Sequence, residues 1–307
     1  MQRRFLAAAC VLGLAAGAGS VVSCGARSEL EAPGAEGGGG SGGHRAHHHD
    51  GGPDAPPPED CVEAGVTYVY LVTETNSLLA FYPPSLSVSK IGAIDCPAKG
   101  GATPFSMGVD RAGIAYVVFD DGELFRVSPA DASCSPTPFV PGQHGFTTFG
   151  MGFSADMTDP GETLFVSQID FAGSGASSKG LATIDTSSFE LSFIGPYSAD
   201  VGAMELTGTG DGRLFGYALK PNGAGGAVLE LDKQTAAILS RVPLPVGDSS
   251  SALAFAFWGG DFYIFTTNQG GGTDVTRYRP ADGAIDVVAT IGEVVVGAGV
   301  STCAPSH

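Results

Sequence analysis

The 307-residue sequence is poor in basic side chains. Lys and Arg together number 15 against 32 Asp and Glu, which gives a formal net charge of -17. Proteins that bind nucleic acids neutralise phosphates with clustered Lys and Arg, so we expect no nucleic-acid partner. A sustained helical period is also lacking beyond the first residues, whereas 47 Gly and 20 Pro accompany many Val, Phe and Thr. This composition favours an all-β fold of short strands joined by tight turns.

Sequence signatures of common catalytic sites are missing as well. Beyond residue 60 there is no G-x-S-x-G, and nowhere is there an H-E-x-x-H or a G-x-x-x-x-G-K-[ST] motif. Past that point the only histidines are His144 and His307, so a Ser-His-Asp mechanism has almost nothing to draw on. We therefore favour a non-enzymatic role, and a hydrolytic alternative would have to use carboxylates.

The first residues have the order of an export signal. Arg3 and Arg4 precede an apolar run from Phe5 to about Val22, which small residues follow. Val21-Val22-Ser23-Cys24 resembles the lipobox of bacterial lipoproteins, in which the Cys thiol is acylated and becomes the new N-terminus. The resemblance implies that residues 1–23 are a signal peptide and that Cys24 carries acyl chains such as palmitate, which anchor the protein to a membrane. Gly25, rather than Asp, follows the cysteine, as in lipoproteins passed on to an outer membrane.

Residues 24–60 form a predicted tether. Residues 37–43 are all Gly except Ser41, and the stretch from Pro53 to Pro58 is rich in Pro, so the segment cannot bury a core. The tract from His44 to Asp50 contains four histidines, which are suitable ligands for Zn²⁺ or Cu²⁺. Low-complexity drift in a linker explains the same tract without metal binding, and we favour that explanation because such a tract lacks groups that orient ligands.

Residues 61–307 contain a repeat of about 47 residues. Its clearest marker is an aromatic residue within an apolar strand, and these residues lie 46, 49, 50 and 48 positions apart. They are Tyr70, Tyr116, Phe165, Phe215 and Tyr263. A further strand-and-turn marker follows each of them, which predicts a small antiparallel meander in every repeat.

A third marker precedes the aromatic strand in all repeats but the first, and its counterpart for the first repeat is found at the far end, at residues 297–301. Such a displaced strand resembles the ring closure of a β-propeller. The repeats, over residues 66–303, are similar to those of uncharacterised secreted bacterial propellers, and this resemblance implies five four-stranded blades and no particular activity. Small residues recur in the predicted innermost strand, as a crowded centre requires: Gly108, Gly152, Ala256 and Gly299.

Four cysteines remain once Cys10 in the signal and Cys24 are set aside. They are Cys61, Cys96, Cys134 and Cys303, an even number that predicts two disulfides in an oxidising compartment. A Cys61–Cys303 bond would lie where the first blade lacks a hairpin to join its C-terminal strand. Cys96–Cys134 then follows by elimination, although strand direction nominally places these two at opposite ends of neighbouring blades.

One group of polar residues is a candidate ligand-binding site. The turns after the predicted innermost strands carry Asp110, Asp156, Asp159, Asp211, Trp258 and Asp261. Ring closure would bring these turns to one face, where carboxylates can bind Ca²⁺ or a cationic ligand, or act as the acid and base of a glycosidase. Asp beside Gly is also what tight turns prefer for their own hydrogen bonds, and we favour this explanation. Trp258 is either a stacking surface for sugar or a packing residue between blades, and packing is favoured.

Two functional hypotheses follow. The first is an extracytoplasmic lipoprotein, anchored to a bacterial outer membrane, whose propeller is a binding or scaffold module for a protein or glycan. The second is a propeller glycan hydrolase that uses acidic residues near the central channel. No cofactor is identified, and Ca²⁺ or Zn²⁺ are the metals that the acidic turns and the His tract would suit.

Overall fold

The computed structural model describes Cys61 and residues 68–157, 161–170, 177–220, 225–247 and 252–307. The predicted signal peptide, Cys24, the tether with its His tract, and Asp159 lie outside the described residues. Almost all regular structure in the described part is β, with one short 3-10 helix at Gln143–Gly145. The all-β prediction is confirmed.

The strands form five four-stranded antiparallel sheets, which are the blades of a propeller. Blade 1 contains β1 (Val69–Thr73), β2 (Ser77–Tyr82), β3 (Ser87–Ala93) and, from the C-terminus, β20 (Val295–Gly299); blade 2 contains β4 (Pro104–Val109), β5 (Ala115–Phe119), β6 (Leu124–Val127) and β7 (Cys134–Pro136); blade 3 contains β8 (Thr148–Ala155), β9 (Glu162–Ile169), β10 (Leu181–Ile184) and β11 (Leu191–Gly195); blade 4 contains β12 (Met204–Gly208), β13 (Leu214–Leu219), β14 (Gly226–Leu231) and β15 (Ile238–Leu244); blade 5 contains β16 (Leu253–Trp258), β17 (Asp261–Thr267), β18 (Thr273–Arg279) and β19 (Ala284–Ile291).

Ring closure by the C-terminal strand is confirmed. β20 pairs antiparallel with β1, with Tyr70 opposite Gly299 and Leu71 opposite Ala298. The innermost strands β4, β8, β12, β16 and β20 each contact the innermost strands of both neighbouring blades. The last strand of the chain therefore completes the first blade and leaves no gap in the ring.

Glycine lets the innermost strands approach one another at backbone distance. A Cβ on Gly152 would lie 2.8 Å from the Leu206 carbonyl oxygen, and one on Gly297 would lie 2.8 Å from the Met107 amide nitrogen. A Cβ on Gly150 would overlap the Met204 carbonyl oxygen. The predicted small residue Ala256 is fully buried in the same layer, so the crowded centre has the residue sizes that its geometry requires.

The hydrophobic core is divided among the interfaces between blades. Each of the five buried clusters joins residues of two neighbouring blades. Between blades 5 and 1, for example, Phe81 makes edge contacts with Tyr263 at 5.5 Å and with Phe265 at 5.9 Å between ring centroids. The repeated aromatic residues that reveal the period in the sequence are thus the residues that hold the blades together.

The turn between the third and fourth strands recurs in every blade with one residue in the left-handed conformation. This residue is Leu86, Ala132, Phe189, Ala236 or Gly283, each with φ between 56° and 73°. In blades 3 and 4 the preceding Asp185 and Asp232 accept backbone hydrogen bonds that close the turn. The hydroxyl and amide groups of Ser187 and Ser188 donate hydrogen bonds to the Asp185 carboxylate. Because these bonds stabilise its ionised form, they lower the pKa of Asp185 to about 2.

Candidate functional site

The innermost strands end on the same side of the ring, which we call the exit face. The turns that follow β4, β8, β12 and β16 and the segment that follows β20 all lie there, as strand direction requires. These turns carry the predicted ligand-binding residues. The exit face is therefore where the acidic candidates were expected to converge.

Each described candidate Asp is instead held within its own blade. Asp110 Oδ1 accepts a hydrogen bond from the Ile114 amide at 2.7 Å, across its own turn. The Asp156 carboxylate accepts the Thr163 hydroxyl at 3.0 and 3.1 Å. This geometry supports the turn explanation for both residues.

The remaining two candidates are engaged in the same way. Asp211 accepts the hydroxyl of Thr209, two residues away. Asp261 Oδ2 lies 3.9 Å from Arg277 Nε on β18, which pairs with the strand that Asp261 begins. Burial raises the pKa of Asp261 despite that neighbour. Within the described residues, no group of three His, Cys, Asp or Glu side chains is arranged to hold a metal ion.

Trp258 lies at the interface between blades 5 and 1. It is partly buried against the hydrophobic cluster of that interface, and its ring meets the Tyr82 ring edge-on with 6.5 Å between centroids. This environment supports the packing explanation over an exposed platform for sugar.

The segment that follows β20 crosses the exit face. Thr302, after the last strand of blade 1, lies so close to Gly210 of blade 4 that a Cβ there would overlap the Thr302 carbonyl oxygen. Farther along, the Gly259 amide of blade 5 donates to the Pro305 carbonyl oxygen at 2.7 Å. The C-terminal residues 300–307, which we call the C-terminal segment, therefore lie across the exit face and contact blades 4 and 5.

A buried polar triad fixes this segment in place. The Arg111 Nε–H donates to the Thr302 hydroxyl oxygen at 2.8 Å, and that hydroxyl donates to Glu162 Oε2 at 2.7 Å. The Arg111 amide donates to Glu162 Oε1 at 2.5 Å. The side chains of Arg111 and Glu162 are only 8% and 10% exposed. Glu162 Oε1 thus joins blade 3 to blade 2, and Oε2 joins blade 3 to the C-terminal segment.

The triad also has an unusual protonation equilibrium. The pKa of Glu162 is raised to about 7, chiefly by burial and also by the neighbouring Asp110 charge, against the opposing effect of the hydrogen bonds from the Arg111 amide and the Thr302 hydroxyl. Burial raises the pKa of Asp110 as well. Glu162 therefore changes charge near neutral pH, where an exposed glutamate is fully ionised.

A second buried acid lies on an innermost strand. Glu205 on β12 is 3% exposed, and its Oε2 accepts the Ser106 hydroxyl from β4 at 2.7 Å. Burial holds the pKa of Glu205 well above its ordinary value. Because Ser106 belongs to blade 2 and Glu205 to blade 4, this bond ties two blades that are not neighbours in the ring.

The residues of the triad and Glu205 were not among the candidates that the sequence indicates. The triad comes from three blades and has no local spacing that marks it. Glu205 did have a signal, because it is the one charged residue of its innermost strand, and buried acids are rare unless bonded.

The structure forms both predicted disulfides. Cys61 pairs with Cys303, with 5.8 Å between Cα atoms, and Cys96 pairs with Cys134, with 5.1 Å between Cα atoms. The first bond attaches the start of the propeller to the C-terminal segment. The expectation that Cys96 and Cys134 occupy opposite ends was wrong, because strands within a blade twist and the end of β3 lies against the β6–β7 turn, where a Cβ on Gly92 would be 3.0 Å from the Ala132 Cβ.

Two cavities open near the exit-face turns. One of about 360 Å³ is lined within blade 3 mainly by hydroxyl side chains, together with Glu162 and Asp185. The other, of about 230 Å³, lies between blades 4 and 5 and includes Asp211 together with aromatic side chains. Of the candidate residues that the structure describes, only Asp211 lines either cavity.

Within the described residues, no helix is long and apolar enough to cross a membrane. No protein-family model matches the sequence, and no curated protein matches it. Among solved structures, the Dos1 propeller is similar to this chain at 11% identity, over 68% of this chain and 52% of that one, with a TM-score of 0.38. The chain thus spans about half the length of that structure. The assignment of a five-bladed β-propeller rests on the blades and their closed ring.

Proposed function

We propose that this chain is a lipid-anchored protein of the bacterial cell envelope whose propeller is a binding or scaffold module. The observation that carries the proposal is the state of the exit face. The described acidic candidates are held within their own blades, and the C-terminal segment is hydrogen-bonded across the exit face. A rigid ring with its inner turns closed in this way presents surfaces between blades rather than a catalytic centre in the channel.

The membrane anchor is supported by sequence alone. The Val21-Val22-Ser23-Cys24 motif after an apolar run supplies an acylation site, and about 36 residues rich in Gly and Pro separate Cys24 from Cys61. Several acyl chains on one residue give stable attachment, because each buried methylene contributes about 0.8 kcal/mol. The predicted tether would then link the propeller to the membrane surface.

Metabolic labelling with an alkyne analogue of palmitate tests the anchor. We expect the wild-type protein to incorporate label and to fractionate with membranes. Cys24→Ala should abolish incorporation, whereas Cys10→Ala, which removes the other cysteine of the leader, should leave it unchanged. Label on the Cys24→Ala protein, or equal loss in both variants, would contradict lipidation at Cys24.

The binding role is tested against hydrolysis with the same protein. We expect wild-type protein to release no product from a broad glycan panel. Product release that disappears in Asp110→Asn and Asp211→Asn variants of unchanged stability would contradict the proposal and support the glycan hydrolase.

A further inference from the structure

The cavity between blades 4 and 5 has an aromatic wall. Phe215 of blade 4 and Phe257, Phe262 and Tyr278 of blade 5 line it. Phe262 lies at the centre of the group, 4.9 Å from Phe215, 5.3 Å from Phe257 and 6.2 Å from Tyr278 between ring centroids. These contacts fix the rings, so the wall is formed before any ligand arrives.

Carboxylates outnumber cations at the rim of this cavity. Its charged lining residues are Asp211, Glu230 and Arg213. Arg213 makes a two-pronged ion pair with Glu230, with distances of 2.9 and 3.0 Å. Asp211 accepts the Thr209 hydroxyl and lies close enough to Arg213 that its charge, after that of Glu230, also raises the pKa of Arg213. The lining therefore has one negative charge in excess.

One ring of the aromatic wall already contacts a cationic side chain of the protein itself. The Arg213 guanidinium carbon lies 4.6 Å from the centroid of the Phe215 ring. Aromatic faces attract cations through their quadrupole, and the attraction grows when a carboxylate is close and water is partly excluded. The overall charge of -17 adds a long-range attraction for cations.

The size of the cavity limits the ligand. Sites for drug-sized molecules occupy about 300 to 1,000 Å³, whereas this cavity holds about 230 Å³. From the aromatic wall, the excess carboxylate and this volume, we propose that the cavity between blades 4 and 5 binds a compact organic ammonium group. The group belongs either to a free alkylammonium compound or to a lysine side chain. This inference rests on the proposed binding role of the propeller and is independent of lipidation.

Saturation-transfer NMR on the full-length protein tests the site with choline and with its neutral isostere, 3,3-dimethylbutan-1-ol. We expect choline to bind with a dissociation constant on the order of 1 mM and the isostere to bind at least about fivefold more weakly, because it lacks the charge. N-acetyl-lysine amide, measured beside choline, separates the two sources: stronger binding of the amide identifies a peptide side chain, and stronger binding of choline identifies a free ammonium compound.

Asp211→Asn supplies the matched variant, because an amide oxygen can still accept the Thr209 hydroxyl. We expect it to weaken choline binding about fivefold. Asp156→Asn, in the equivalent turn of blade 3 and outside the cavity, should bind as the wild type does. Equal binding of choline and its isostere, equal weakening in both variants, or no choline signal at 20 mM would each overturn the proposal. Any of these results would refute the ammonium site without refuting protein binding elsewhere on the propeller. Hydrolysis of a glycan, in contrast, would refute the binding role itself.

Discussion

Replacing Glu162 with Gln should change how the stability of the propeller depends on pH. The pKa of Glu162 in the folded protein, about 7, lies above its ordinary value of 4.5. Between these pH values the folded state therefore holds a proton that the unfolded chain has released. Stability linked to this group is therefore fully present below pH 4.5 and is lost as pH rises through 7. The difference between these pKa values corresponds to about 3 kcal/mol of unfolding free energy.

Gln keeps the shape of the protonated acid. Its carbonyl oxygen can accept the Arg111 amide, and its amide can donate to the Thr302 hydroxyl oxygen, in place of the bonds that Glu162 makes. We therefore expect Glu162→Gln to match the wild type near pH 4. At pH 8 the variant should be more stable than the wild type by about 3 kcal/mol, because it carries no buried charge.

Urea unfolding measures this difference at a series of pH values, with the single tryptophan, Trp258, as the fluorescence reporter. The variant-minus-wild-type difference isolates Glu162 from Glu205, whose raised pKa acts in both proteins. Glu190→Gln, at an exposed position of blade 3, serves as the control and should follow the wild-type curve. A Glu162→Gln difference that stays constant from pH 4 to 8, or that favours the wild type as pH rises, would refute the reasoning.

Three further predictions concern the contacts that hold the blades and the C-terminal segment together. Removing the disulfide that closes the longer loop, with Cys61→Ser and Cys303→Ser, should lower the unfolding free energy in urea by about 5 kcal/mol. Removing Cys96–Cys134 should lower it by about 4 kcal/mol, because the sequence separations of the two bonds are 242 and 38. A larger loss for Cys96–Cys134 would contradict this expectation. Gly150→Ala should destabilise by more than about 3 kcal/mol, whereas Gly292→Ala, which meets nothing within 4 Å, should be nearly neutral in the same assay. Thr302→Val should cost about 1 to 3 kcal/mol by leaving buried polar groups unpaired, and a neutral result in thermal unfolding would argue against the triad.

Much of the fold was predictable because it is repeated. An aromatic residue in the second strand of each blade packs between blades, so Tyr116, Phe165 and Tyr263 recur at nearly equal spacing in the sequence. The displaced strand at residues 297–301 then identified the closed ring, and β20 pairs with β1 as expected. The local sequence pattern is enough to predict the fold here because every blade packs against its neighbours in the same way.

The site was less predictable because it depends on relations between blades. Asp beside Gly marks a turn in the sequence, and the turn explains Asp110 and Asp211 in the structure. Nothing in the spacing of Arg111, Glu162 and Thr302 shows that three blades bring them together. The same limit applies to Cys96 and Cys134, which meet because the end of β3 lies against the β6–β7 turn of the next blade.

The cavity between blades 4 and 5 was also beyond reach of the sequence. Asp211 was identified as a candidate together with five other residues, but only the packing of Phe257 and Phe262 beside it forms a pocket. Aromatic side chains in these strands are expected in any propeller core, so the sequence does not show which of them line a cavity.

The central structural claim is that the cavity between blades 4 and 5 binds an organic ammonium group, and a crystal structure of the full-length protein with choline tests it most directly. We expect density for the ammonium group in the cavity between blades 4 and 5, against Phe257 and within reach of the Asp211 carboxylate. Density for choline only at other sites, or an empty cavity at a choline concentration that saturates the NMR signal, would contradict it.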